Sequence, residues 1–530
     1  MPDGWSWCFG HSFVLLRYTS RYPPLANVGL AMQDLSQEFA DTEMFLIDLW
    51  PSYPSSIVVS NPDVANLVTQ KLALPKPPLA GDSVEPIVGG PSILSMNDVD
   101  WKKWRTLLNP GFSAQKLMNH VPFIVDCCEV FNEKLRNEAR KGSIFSLDEF
   151  ATRLTFDIIM KVTLDSNIDY QRSEHIIPTA LNTITRWHSF WDPRVLLNPL
   201  RPIIQKYYGR KMVNYIKKEL HNRFEELKAD RLANLQEQPK RPLSVISLVL
   251  EAYIAEKDKR HLLQSSTLDD DFAAIVSNHI RLFLFAGNDT TSSTIAFAIH
   301  TMTRNPTALS LLQNEHDSIF GRRTSPSQTA ALLRSSPHLL SKCRYTLAFI
   351  KETLRLYPPA ANMRLGGPDV NLTALNGQVL PTQGLNIILM HQGLHMNPRV
   401  WPWPMDFLPE RWLVEPGHAL YPPEGAWRAF DVGPRRCIGQ ELALLEVKVV
   451  LVMTARAFRF VEAYEEWGRI QEQRKGLWGR VMRWLVREVR EEVRTVRGDR
   501  VYQTEKAGTH PSEGYPCRVE VLGEDGGSGG

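Results

Sequence analysis

The sequence predicts a mainly α-helical chain with a smaller β portion, on three observations. From Thr267 to about Asn305 runs one long segment, apolar on most sides and stopped by Pro306; at that length it spans ~50 Å and belongs in the core. A second periodic segment runs from about His338 to Leu356 and ends at Pro358 and Pro359, which cannot continue a helix. Alternation of β-branched and turn residues is confined to short stretches such as Asn371 to Ile388, where Asn376, Gly377, Pro381 and Gly384 suggest hairpins.

The remaining elements follow in order. The first ~70 residues mix Pro-punctuated turns with a short β-like run, Ser56 to Ser60. From Asn97 onward the pattern is strongly helical. Thr267-Leu-Asp-Asp offers a capping box with Asp270 at its third position. After Cys437 another apolar helix is expected to about Phe458. Between 467 and 500, Arg480, Arg483, Arg487, Arg490 and Arg494 interleave with Trp478, Val481, Leu485, Val489 and Val493 at helical spacing. Such a basic amphipathic insertion could lie on an anionic membrane or dock on the domain as a solvated helix.

Composition narrows the function. A net charge of +3 on 530 residues is too small to imply nucleic acid as a partner. The six cysteines show no CxxC and no regular spacing, so neither a zinc site nor a disulfide framework is indicated, and they read as reduced thiols of a cytosol-facing protein. No run reaches the ~20 apolar residues needed to span a bilayer. Two sequons, Asn371-Leu-Thr373 and Asn288-Asp-Thr290, read as chance matches.

Chemistry concentrates around Phe430-Asp-Val-Gly433-Pro-Arg435-Arg-Cys437-Ile-Gly439. A lone cysteine is most often a packed core residue. Here two glycines bracket it, permitting tight backbone geometry and close approach of a ligand. A helix starting at Gly439 would aim free N–H groups at the sulfur, and Arg435 adds a cation, both favouring a thiolate. Ala286-Gly287-Asn288-Asp289-Thr290-Thr291 places a Gly, an acid and hydroxyls in the middle of the apolar helix, which costs stability unless it serves something. The plain alternative is a kink with a threonine bonded back to its own helix.

The Cys437 segment resembles the haem-binding signature of the cytochrome P450 superfamily, Phe-x-x-Gly-x-Arg-x-Cys-x-Gly, at every defined position. Other motifs occur in that family's order. Glu352-Thr-Leu-Arg355 and Pro409-Glu-Arg411-Trp resemble its structural triad, in which Arg411 would donate bidentately to Glu352. Trp101 and Arg105, with Arg364 and Arg435, match donors to the haem propionates. The cluster Trp101-Lys-Lys-Trp-Arg105 and Asn109-Pro-Gly-Phe-Ser113, with the tail from His510 to Gly514, looks most like fungal members acting on polyketides or related secondary metabolites. The resemblance covers about Gly10 to Val521.

The resemblance implies one mainly α domain, 1–530, around haem b, with Cys437 as axial thiolate and Asp289 and Thr290 delivering protons from a helix that opens near Gly287. It implies insertion of one atom of dioxygen into a small apolar organic substrate. Electrons would come from NADPH through a separate cytochrome P450 reductase, since no dinucleotide-binding glycine loop is visible. The location implied is the cytoplasmic face of the endoplasmic reticulum, with peripheral contact only, the family's N-terminal anchor being absent from view. A haem-thiolate isomerase and a haem-based gas sensor remain the rival classes.

Overall fold

A computed structural model describes all residues except 52, 190–192, 234–243, 257–267, 323, 475–494, 507 and 523–530. Thr267 and the basic residues 480 to 494 therefore lie outside the described residues, and with them most of the predicted amphipathic insertion.

The long helix is Asp270–Arg304. Its cap is Asp269, whose carboxylate accepts from the Phe272 N–H at 2.9 Å, so the helix starts later than the Thr267 box predicts. Asp270 and Asp271 complement the dipole in its first turn. Pro306 opens the next helix at its first position, where a missing N–H costs nothing.

This core helix packs along Leu147–Leu164. The crossing explains its polar residues: Asn288 Nδ2 donates to the Thr152 carbonyl at 2.7 Å and to Thr155 Oγ1 at 3.0 Å. A Cβ on Gly287 would sit 2.8 Å from Ile159 Cδ1. Gly287 thus serves close helix–helix approach, and the expected opening there is not seen: the helix is continuous through it. Asn288 is buried, which disposes of its sequon.

Two predicted boundaries move. The segment from His338 splits into a 3-10 turn, Pro337–Lys342, and the helix Arg344–Leu356. The helix after Cys437 is Gln440–Thr454, and Phe458–Glu462 is instead a strand. That strand pairs with Pro516–Val521, with Val519 opposite Phe460.

The β portion is small. Asn371–Thr373 and Val379–Pro381 form the expected hairpin. Asn386–Leu389 joins a four-stranded sheet, parallel to Tyr53–Val59 and antiparallel to Asn362–Leu365. A mainly α architecture with small sheets is what the sequence predicts.

The Glu352 triad is fully buried rather than a surface pair. Arg355, not Arg411, makes the bidentate contact, through Nε at 3.0 Å and Nη2 at 2.8 Å. Arg411 gives Glu352 a single bond from Nε at 3.2 Å. The guanidinium of Arg355 also collects the carbonyls of His395, Pro404 and Asp406, so one cation shapes a long loop. His395 Nε2 accepts from the Arg428 N–H at 2.8 Å and Nδ1 faces the Arg355 carbonyl at 3.1 Å, carrying the constraint toward Cys437. Glu352→Ala strands two buried guanidinium groups and is expected to cost about 3–5 kcal/mol, read as a fall in urea midpoint. An unchanged midpoint would contradict this role.

Candidate functional site

The Cys437 loop is built by its backbone. The Cys437 N–H donates to the Phe430 carbonyl at 2.8 Å and Arg436 N–H to Gly433 at 3.1 Å. Gly433 has φ +87, and a Cβ there would lie 2.4 Å from the Thr69 carbonyl oxygen, so only glycine fits. Gly439 has an ordinary φ of −85 and is needed by neither test: a Cβ would stand 3.9 Å from the sulfur. The backbone N–H groups of Gly439 and Gln440 do reach Cys437, as the helix start predicts.

Cys437 is surface-accessible deep inside the fold, whereas Cys127, Cys128, Cys343 and Cys517 are packed and buried. Burial raises its pKa, and the two N–H groups and Arg105 pull the other way without cancelling it. A bound metal would complete the thiolate, because a coordinating thiol is deprotonated outright. Among the described residues no three His, Cys, Asp or Glu side chains gather as a metal site.

Cations surround this position. Trp101 and Arg105 come from the helix Asp98–Leu108, Arg364 from the sheet and Arg435 from the cysteine loop. The Arg435 guanidinium lies 4.6 Å from the Trp101 ring centroid and donates to Met96 and Asn97, each at 2.8 Å. Trp104 faces the other way, stacked on His279 at 4.6 Å, and Lys102 and Lys103 are exposed.

Arg364 pairs with Asp431 at 2.9 Å, and Arg428 with the same carboxylate at 2.7 Å. Lys76, bonded to Asn362, is pushed well below the usual amine range by burial and by Arg364 and Arg435. Burial, with Arg364 and Arg105 nearby, lowers Arg435 to about 10. Arg435 Nη1 and Arg364 Nε are buried without a partner. Such an excess of buried cations suits an anionic ligand. A flat metal chelate with two carboxylates, such as haem, fits these donors. Asp431, Arg428 and Lys76 were missed in sequence; Asp431 stands inside the quoted motif, while nothing local marks Lys76.

The core helix has an uncovered stretch of its own. Ala286 is exposed in the middle of an otherwise buried helix, and Phe285, Asp289 and Thr290 are only partly covered. Thr290 Oγ1 donates to the Ala286 carbonyl at 2.8 Å, the back-bonded arrangement weighed above, which leaves its oxygen free to accept. Asp289 Oδ1 faces His510 Nε2 at 3.0 Å, and His510 Nδ1 faces Asp148 at 2.7 Å. Lys506 lies 3.4 Å from Asp148. Burial lowers the pKa of His510, but Asp148 and Asp289 outweigh it and push it up to about 10. Asp148 is held down at about 2, its burial outweighed by His510 and Lys506. Asp289 and His510 line a cleft of ≈ 1510 Å³, whose far wall includes Leu15 and Leu16 and whose floor includes Glu505.

Comparison with known proteins agrees with this geometry. The cytochrome P450 family pattern matches residues 3–477. Cytochrome P450 monooxygenase polC of Polytolypa hystricis is 34% identical over 522 residues, covering 97% of this chain and 88% of its own. Cytochrome P450 monooxygenase acrF of Aspergillus aculeatus is 31% identical, covering 90% of this chain and 94% of its own. Rabbit cytochrome P450 3A6 is 30% identical over 68% of each chain. Among the described residues no helix is long and apolar enough to cross a membrane.

Proposed function

The chain belongs to the cytochrome P450 family and is a cytochrome P450 monooxygenase, and on that premise we propose that it inserts one atom of dioxygen into an apolar fungal secondary metabolite, a polyketide or related compound. The observation that carries the reading is Cys437, an accessible thiol under the N–H groups of a helix start and beside the Arg105 guanidinium. The fungal part of the reading draws on two matching monooxygenases, from Polytolypa hystricis and Aspergillus aculeatus.

In this reading the Cys437 thiolate would hold the iron of haem b, and Trp101, Arg105, Arg364 and Arg435 would hold its propionates. Phe430, Gly433 and Gly439 shape the ligand loop. When bound, the haem supplies binding and reductive cleavage of dioxygen. Two electrons from NADPH, passed through a separate cytochrome P450 reductase, and two protons accompany the reaction; one oxygen atom enters the substrate and the other leaves as water. The chain's own part is to exclude bulk water and bring protons to the face at Ala286. Asp289 carries them from the cleft, and the Thr290 oxygen accepts a hydrogen bond at the reacting site. Need for such proton supply favours a monooxygenase over a peroxide isomerase, which consumes none.

We place the enzyme at the cytoplasmic face of the endoplasmic reticulum, held peripherally. Trp7, Phe13 and Leu16, with Leu197, Leu200 and Ile203, are exposed apolar residues, and Leu16 lines the cleft. The basic segment 478–496 would add attraction to anionic lipid, screened by salt.

Three measurements follow. Reduced protein under carbon monoxide should show the red-shifted band of a thiolate-bound haem, and Cys437→Ser should abolish it while Cys127→Ser and Cys517→Ser retain it. A persisting band in Cys437→Ser excludes this ligand. In a system reconstituted with reductase, Thr290→Ala should keep the carbon monoxide band and divert consumed oxygen to hydrogen peroxide, since positioned proton transfer is worth ~10²–10⁴ in rate. Wild-type peroxide per NADPH would remove Thr290 from the route. Pelleting with phosphatidylserine vesicles should fall on combining Trp7→Ser, Phe13→Ser and Leu197→Ser, and deletion of 478–496 should weaken its salt dependence; pelleting unaltered by both changes would refute the lipid contact.

A further inference from the structure

His510 has no part in the proton route just described, yet it is bonded to that route's acid. Its ring sits between two carboxylates, Asp148 on Nδ1 at 2.7 Å and Asp289 on Nε2 at 3.0 Å. The side chain is nine-tenths buried. A carboxylate only accepts when ionised, so facing two of them both ring nitrogens donate and the ring is an imidazolium.

Each partner comes from a different element. Asp148 stands at the start of Leu147–Leu164, Asp289 on the core helix and His510 on Gly508–Pro511, the strand paired with Gln503–Lys506. That strand is itself tied down, since Ser293 on the core helix donates to the Thr509 carbonyl and Gln503 Nε2 to Thr509 Oγ1 at 3.0 Å. The charged groups facing His510 are Asp148 and Asp289. Lys506 acts through Asp148, and Glu505, raised to about 7 by burial, stands on the floor of the adjoining cleft.

The other end of Asp289 is as constrained. Its Oδ2 is buried and bonds nothing. Gly508 lies against it, and a Cβ there would come within 2.1 Å of that oxygen. With Oδ1 committed to His510, a proton taken up by Asp289 resides on Oδ2. Asp289 therefore has one oxygen anchored by His510 and one left without a partner.

We propose that His510 is a positioning residue for proton delivery, bridging Asp148 and Asp289 so that the Asp289 carboxyl presents Oδ2 alone as its working oxygen. The inference rests on the assignment of Asp289 and Thr290 to proton supply. It adds to that assignment a tail strand and a second carboxylate, Asp148, far from Cys437 in sequence. A flat ring with N–H groups on opposite edges can span two carboxylates at fixed separation, which a flexible lysine cannot.

The test uses the haem-loaded enzyme with its reductase, comparing wild type, His510→Gln, Asp148→Asn, Asp289→Asn and the His510→Gln/Asp289→Asn double variant. Glutamine preserves a donor and side-chain bulk but bridges only one carboxylate. NADPH, oxygen and peroxide are measured together in H2O and D2O. The carbon monoxide band should be kept throughout, showing an intact fold and ligand. His510→Gln and Asp148→Asn should each raise peroxide per NADPH at least about twofold and alter the solvent isotope effect, and the double variant should be no worse than Asp289→Asn alone.

Wild-type values in the His510 and Asp148 variants, with Asp289→Asn altered, overturn the inference and leave the Asp289 assignment standing. Wild-type values in all of them overturn both. Additive effects in the double variant also overturn it, because they make His510 independent of Asp289. A readout free of turnover comes from 15N-histidine spectra of the reduced, carbon-monoxide-bound protein, with His510 identified by its loss in His510→Gln. Both ring nitrogens should be protonated at pH 8; a neutral ring there refutes the bridge. If His510→Gln fails to fold, Asp148→Asn with the same readouts carries the decision.

Discussion

A buried carboxylate must find its partners inside the protein, and Glu352 organises the cysteine side of this enzyme by that requirement. Its two oxygens accept from Arg355 twice, from Arg411, from the Leu408 N–H and from the Trp412 indole. The donors belong to the helix that presents Glu352 or to the 3-10 turn Pro409–Trp412 and the Leu408 residue that precedes it. Satisfying one charge therefore fixes the path of the chain from His395 to Trp412. Through His395 and Arg428 the same constraint reaches the loop that carries Cys437. Replacing the cluster by apolar side chains could be tolerated energetically, but it would not specify where those carbonyls go.

Around Cys437 the balance of charge is reversed. Arg105, Arg364, Arg428, Arg435 and Lys76 share a largely buried region, in which Asp431 pairs with Arg364 and Arg428. Burial, with repulsion from neighbouring guanidinium groups, depresses Lys76 and Arg435, so the region suits an anion. Glu352 is a charge neutralised by donors within the fold, whereas this cluster keeps an excess of cation that suits an anionic ligand.

The core helix joins the two sides because its polar residues have separate duties. Asn288 and Gly287 settle the crossing with Leu147–Leu164, whereas Ala286 and Thr290, one turn apart, remain uncovered. Asp289 turns toward the tail strand. A helix that stays unbroken can still offer an open face when its neighbours leave one, so the conformational opening expected at Gly287 is unnecessary.

The sequence by itself determined the family and the long core helix, and it singled out Cys437 among the six cysteines. These are encoded locally, in the spacing of Gly, Arg and Cys over ten residues and in uninterrupted apolar periodicity. It misplaced the cap at Thr267 and the helix end near Phe458, because Asp269 competes as a cap and a strand partner for Phe460 arrives only at Val519. It assigned the bidentate bond to Arg411, although the closer Arg355 on the same helix had the better geometry. Tertiary structure alone decided that His510 meets Asp289 and Asp148, which stand 221 and 362 positions from it along the chain. No local pattern announces such a contact; it exists because a buried carboxylate and a buried imidazole each lower the other's cost, and only the folded chain brings them within 3.0 Å.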